Sequence, residues 1–409
     1  MKDRNLYKTI WDDVSADKSL ILLAGPRQSG KTTFARKILA KGFPDSVYFN
    51  WDLPTDKSRL ISDPAFFDKE PRSRISSKPL VIFDELHKFR DWKNYLKGVY
   101  DRFSEEYHFL VMGSGRLEYS RKAGDSLAGR FLKFHLFPFT LAELAENRRP
   151  FQRFKENPLD GCDDNSPAST SSLFQSLWEF GGFPEPFSKG RKAFWRTWSN
   201  AYGQQIVRDD IRTVADIRNL DHLETLFALL PSRVGSMLSM NNLAGDLQVA
   251  FDSVKNWLLL FDAFYLTFRL SPWTAKITRS LVKERKLYLF NFPVIEDEGA
   301  RFENLVAVEL LRAVEVWNDL GLGFFSLHFL RDKEKRGVDF LLAENHIPFL
   351  VVETKAGGDT PADSLMAYQK LLNVPAVQLT RLEGVKRYFK NGTHPVLVIT
   401  AHRWLASLP

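Results

Sequence analysis

The sequence has one cysteine, Cys162, in 409 residues. That excludes an intramolecular disulfide and points to a reducing compartment. No run approaches the roughly 18 consecutive apolar residues that a membrane helix needs; the apolar stretch 258–264 is short and broken by Asp262. Nothing apolar follows the charged start Met1-Lys2-Asp3-Arg4-Asn5, so no secretory signal is expected. Internal repeats are missing. A net charge of +7 is compatible with nucleic acid or other anionic partners but modest for this length. The expectation is a cytoplasmic protein without a membrane partner. Core material, by contrast, is plentiful. Hydrophobic residues make up 44%, with 34 Phe and 10 Trp, enough for a folded chain of two or three domains.

Apolar segments alternate with helical ones over the first third. Residues 20–24 (LILLA), 47–51, 80–83, 108–112 and 131–137 read as strands, with a helix over 32–40. Strands spaced by helices imply a parallel α/β sheet. The predicted boundaries are a first α/β domain over 1–145 and a polar linker or insertion over 146–172. A helical region over 173–235 follows, then a winged helix over 236–295 and a second α/β domain over 296–409.

Gly25-Pro26-Arg27-Gln28-Ser29-Gly30-Lys31-Thr32 matches G-x-x-x-x-G-K-[ST] between a strand and a helix, and Thr33 extends it. The glycines let backbone N–H groups converge on a phosphate. Lys31 is expected on the β- and γ-phosphates of ATP and Thr32 on Mg²⁺. The strand 80–83 ends in Asp84-Glu85, which puts Asp84 beside that Mg²⁺ and Glu85 against the attacking water. The next strand ends in Met112-Gly113-Ser114-Gly115, where Ser114 is the candidate contact to the γ-phosphate or the water. Arg130, in Leu127-Ala128-Gly129-Arg130, is a candidate arginine finger toward a second copy, or else a solvated residue fixing the turn.

Residues 240–247 and 252–261 form two short helical patterns joined by a turn. Asn241 or Asn242, and Asp252, suit the caps. Leu243, Ala244 and Leu247 face Val254, Trp257, Leu258 and Phe261 as a core. Lys255 and Asn256 are left outward, where a major-groove reader keeps its polar side chains. The following ribbon carries Lys276, Arg279, Lys283, Arg285 and Lys286, candidate phosphate contacts. A protein-docking winged helix is the competing reading.

Near the C-terminus, 337–342 and 349–355 read as adjacent strands carrying Asp339, Glu353 and Lys355. Glu353 and Lys355 share a face because strand side chains alternate. This D…E-x-K arrangement is that of restriction-like nucleases, in which the acids hold Mg²⁺ and the lysine serves the attacking water. Glu303, or Glu309, on the preceding helical stretch is the candidate third carboxylate. A structural salt-bridge network is the alternative.

The P-loop segment, Asp84-Glu85-Leu86-His87-Lys88, Ser126-Leu127-Ala128-Gly129-Arg130, Gly181-Gly182-Phe183-Pro184 and the stretch 331–355 together resemble one group. It is the prokaryotic AAA-type P-loop ATPases with a C-terminal domain of unknown function of restriction-endonuclease-like fold (the archaeal, DEXX-box ATPase-like group). The resemblance implies an AAA-like module, a winged helix and a nuclease-like terminus. The expected function is therefore a Mg²⁺-dependent ATPase, a switch or motor that engages DNA through the last two parts. The alternative is a nucleotide-switch signalling ATPase whose C-terminal domain is an inactive docking module for protein or nucleic acid.

Overall fold

The computed structural model describes residues 4–73, 78–113, 115, 127–146, 149–161, 168–213, 219–274 and 284–409. It divides into two compact units: Met1–Pro138 with Ala263–Tyr265, and Phe139–Asp262 with Leu266–Pro409. Among the described residues no helix is long and apolar enough to cross a membrane.

The first unit is built on β1 (Leu20–Ala24), β2 (Ser46–Asn50), β3 (Leu80–Asp84), β4 (His108–Met112) and β5 (Leu132–His135), in the order β2-β3-β4-β1-β5. All pairs are parallel. A parallel sheet is covered on both faces, so its central strands are apolar throughout and not alternating. β1 and β3 are accordingly buried at every position. Helices α1 (Asn5–Asp17), α2 (Lys31–Lys37), α3 (Pro54–Ser62) and α4 (Trp92–Phe103) accompany the strands. One side of the sheet is packed with aromatics: Phe67 lies edge-on to Phe103 and Tyr107 at 5.2 Å and to Phe109 at 5.5 Å.

The second unit contains the helices Ala168–Phe180, Lys192–Gln205 and Leu220–Leu229, followed by Met240–Leu247 and Phe251–Ala263. The last two are joined at Gln248, which takes a left-handed φ of 52° and lets Val249 N–H close on the Ala244 carbonyl at 3.0 Å. Leu243, Ala244, Leu247, Val254, Trp257, Leu258 and Phe261 are all buried. The cap of Met240–Leu247 is neither Asn241 nor Asn242: Ser239 takes the place, its hydroxyl accepting from Asn242 N–H at 3.3 Å. β6 (Met237–Leu238), β7 (Thr267–Leu270) and β8 (Arg285–Leu289) form a small antiparallel sheet, ordered β6-β8-β7.

The remaining sheet has the order β13-β14-β12-β11-β10-β9, with β9 (Phe325–Arg331), β10 (Gly337–Glu344), β11 (Ile347–Lys355), β12 (Ala376–Thr380), β13 (Lys386–Asn391) and β14 (His394–Thr400). β9, β10 and β11 form an antiparallel meander, and β11-β12-β14 run parallel. The 22-residue helix Glu298–Asp319 precedes the meander, and Asp363–Leu372 crosses from β11 to β12. Asn304 on the long helix both donates to and accepts from the Leu289 backbone at 2.8 Å. That buried pair ties β8 to the helix, so the segments predicted as a winged helix and a separate α/β domain pack within one compact unit.

Within the 146–172 stretch, predicted as a polar linker or insertion, the described residues contribute to the core. The stretch includes the helix Phe151–Glu156, whose Phe154 is fully buried with its ring 5.5 Å from Trp317 and 6.2 Å from Trp404. Two aromatics at this spacing anchor a segment whose flanks are polar enough to mask it. Phe154→Ala should therefore destabilise the protein by about 3–5 kcal/mol in urea unfolding; a change below about 0.5 kcal/mol is the outcome a surface linker would give.

Candidate active site

β1 delivers Ala24 to the carboxyl edge of the sheet, where the chain turns into the P-loop. Leu136 N–H bonds to the Ala24 carbonyl at 2.9 Å, so β5 continues tight against the loop. Gly25, at φ +142°, sits so close that a Cβ would lie 2.3 Å from the Leu136 carbonyl oxygen. Only glycine fits there. Gly30 enters α2 from the left-handed region at φ 97°, and Ser29 N–H closes on Pro26 O at 3.3 Å.

The Lys31 ammonium donates to the carbonyls of Gly25 (2.9 Å) and Pro26 (2.6 Å) inside its own loop. It is 7% exposed. Burial lowers its pKa to about 8; Glu85 and Asp84 oppose that shift and Arg27 adds to it. A buried cation hydrogen-bonded to carbonyl dipoles and not to a carboxylate is poised to accept an anion.

Asp84, at the end of β3, accepts from the Thr32 and Tyr48 hydroxyls at 2.8 Å each. Burial nonetheless raises its pKa above the ordinary carboxylate value. A threonine hydroxyl beside a carboxylate is a hard-cation donor set, so Thr32 and Asp84 fit Mg²⁺. Glu85 stands in the left-handed region at φ 56° and faces Lys88 at 3.2 Å and His87 Nε2 at 3.5 Å. Burial favours its protonation, but His87, Lys88 and Lys31 outweigh it and hold Glu85 ionised.

Ser114 lies outside the described residues, as do Lys276 and Arg279. Arg130 is described. It precedes β5, and the register of β5 on β1 (Ile21 with Leu132, Ala24 with His135) puts it near the amino edge of the sheet, opposite the P-loop. There it pairs with Asp101 of α4 through Nε at 2.7 Å and Nη2 at 3.3 Å.

Residues 17–145 match the model of a family described as an AAA domain. That segment is similar to AAA domains. Residues 171–292 match a second family, described as a domain of unknown function. The uncharacterized protein Rv2008c of Mycobacterium tuberculosis is 25% identical over 272 residues, which is 66% of this chain and 54% of that protein. The chain thus spans about half the length of this mycobacterial relative. The uncharacterized protein MJ1637 of Methanocaldococcus jannaschii is 23% identical over 389 residues, covering 87% of this chain and 79% of its own. Among solved structures, the Walker-type ATPase PABY2304 of Pyrococcus abyssi aligns with 72% of this chain and 95% of its own, at 14% identity and a TM-score of 0.44.

In the second unit Asp339, Glu353, Lys355 and Glu303 gather around the β10–β11 pair, beside a register shift in the β9–β10 pairing between Val338 and Leu341. Lys355 pairs with Glu353 at 2.7 Å. Asp339 accepts from Thr354 N–H at 3.0 Å and Thr354 Oγ1 at 2.6 Å, and donates its own N–H to Glu353 at 3.2 Å. Glu303 accepts from Tyr288 OH at 2.7 Å and Lys286 Nζ at 2.8 Å; Lys286 also reaches Asp339 at 3.3 Å. Burial, then Asp339, raises the Glu303 pKa to about 7. Because an ammonium already bridges Glu303 and Asp339, this set does not fit a divalent ion as it stands. Glu309 is elsewhere: both its oxygens accept Leu141 N–H, at 2.9 and 3.1 Å, capping the helix Leu141–Leu144. Lys255 and Asn256 are exposed on Phe251–Ala263.

Sequence reasoning missed Arg4, Tyr48 and Tyr288, and took Lys286 for a solvent-facing wing lysine. Arg4 is 4% exposed and donates to the carbonyls of Ser29 (2.9 Å) and Phe137 (2.7 Å), bracing the P-loop from the start of α1. No local pattern signals it. Tyr48 and Lys286 had a signal in strand alternation, since each points from a strand toward an acid.

The Lys31 shift has a measurable sign. Its pKa in the folded protein is about 8, below the ordinary lysine value of 10.5, so between about pH 8 and 10.5 the unfolded chain binds more protons. Stability should rise across that window as the buried charge is relieved. Relative to Lys31→Met, the wild-type unfolding free energy should gain on the order of 3 kcal/mol from pH 8 to 10.5; a flat difference would mean that the amine is hydrated.

Proposed function

We propose that the chain is a Mg²⁺-dependent ATPase that uses hydrolysis to switch an engagement with DNA. The observation that carries the ATPase part is the convergence of Lys31, Thr32, Asp84 and Glu85 at the carboxyl edge of one parallel sheet. Lys31 exchanges its loop carbonyls for phosphate oxygens. Thr32 and Asp84 would hold the metal, which would supply positive charge against the phosphates. Glu85, kept ionised, orients the attacking water and receives its proton. Arg130 is too far along β5 to serve its own nucleotide, about 16 Å at the rise of a strand. A finger role belongs to an assembly of copies in which the Asp101 pair opens.

The DNA part is supported by the helix–turn–helix with exposed Lys255 and Asn256, backed by the β6-β8-β7 sheet in the manner of a winged helix. The order of the larger sheet and its crossover helix support a restriction-endonuclease-like fold for the last part. A specific observation favours the docking reading of that part over cleavage: Lys286 stands between Glu303 and Asp339.

Lys31→Ala should lower ATP turnover at least about 100-fold, and unchanged turnover would refute the site. Glu85→Gln should lower kcat about 100-fold while ATP binding, followed by a fluorescent analogue, persists. For DNA, Lys255→Ala should weaken binding to all sequences alike and reduce the salt slope by about one. Absence of salt-sensitive DNA binding in the wild type would shift the proposal to a protein partner.

A further inference from the structure

The acids at the β10–β11 pair have the donor chemistry of a hard-cation site, yet a cation already stands among them. Five of the six oxygens of Glu303, Asp339 and Glu353 accept from donors within the described residues. Lys286 Nζ bridges Glu303 Oε1, on the long helix, and Asp339 Oδ1, on β10, and so takes up the space between two of the three acids. Mg²⁺ and ions of its size need oxygen ligands at about 2.0–2.1 Å in near-octahedral array. Between those two oxygens that position falls on the ammonium. An ion admitted beside it would meet a like charge a few ångströms away in a site shielded from water, at a steep Coulomb cost.

Little lets the lysine leave. Its side chain is 12% exposed, as is that of Glu303, and the ammonium lies 5.7 Å from the Phe329 ring. It is carried by β8, the central strand of its sheet, where Leu287 and Tyr288 are wholly buried. The second lysine, Lys355, is 46% exposed and pairs with Glu353 at 2.7 Å.

We propose that Lys286 is the resident cation of this cluster and excludes divalent metal from it, so that the acids persist as a metal-free charge network. With the ammonium in place, the space between Glu303 and Asp339 is taken and the metal-bound water that hydrolysis at such a site would use is not supplied there.

The test is Mn²⁺ binding to the full chain without nucleotide, counted by the electron paramagnetic resonance of the free ion. Wild type, Asp339→Asn, Lys286→Met and the double variant are compared, so that any ion at Thr32 and Asp84 is common to all and cancels. Wild type and Asp339→Asn should bind the same number of ions. Lys286→Met should bind one more, at least tenfold tighter than any wild-type binding dependent on Asp339, and the double variant should lose it. A wild-type chain that binds one Mn²⁺ more than Asp339→Asn overturns the proposal, and that comparison does not need Lys286→Met to fold. A Lys286→Met chain that unfolds cooperatively on heating yet gains no Mn²⁺ overturns it as well.

Discussion

Lys31 is a charge held out of water by two backbone carbonyls, and the nucleotide end of the protein is arranged around that fact. Gly25 is pressed against Leu136 so that the loop can fold back over the ammonium. Arg4 braces the same loop through Ser29 and Phe137. Asp84 and Glu85 supply negative potential from the neighbouring β3, enough to temper the shift but not to cancel it. A buried ammonium lacking a full counter-charge is a cost to the empty protein. The anion that relieves it is bound with the energy the fold has stored in advance.

Two buried lysines show how the same residue serves opposite ends. Lys31 has dipoles but no carboxylate in hydrogen-bonding contact, and its pKa falls. Lys286 is also buried, yet Glu303 and Asp339 outweigh the burial and hold its pKa above the ordinary value. The first is open to a phosphate. The second is satisfied by its own chain.

The P-loop, the acidic end of β3 and all five strands of the first sheet were legible because each depends on local pattern: an apolar run, a glycine at a forced φ, a carboxylate at a strand end. The cluster of Asp339, Glu353 and Lys355 was legible from alternation along two strands. What escaped needed distant partners. Glu303 and Glu309 lie on one helix, and their spacing alone does not say which faces β10 and which caps Leu141–Leu144. Arg4 finds its carbonyls 25 and 133 residues away. Phe154 hides in a polar stretch and is identified as core only by Trp317 and Trp404.

Two alternate side chains of strand β8 meet the acids. Lys286 meets Glu303 and Asp339, and Tyr288 meets Glu303. The intervening Leu287 is wholly buried on the other face. A slip of one residue would exchange the faces, turning a leucine toward the carboxylates and driving an ammonium into the apolar core. The charge cluster therefore acts as a ratchet tooth: it permits one alignment of β8 on the helix and penalises its neighbours far more sharply than hydrophobic packing alone would.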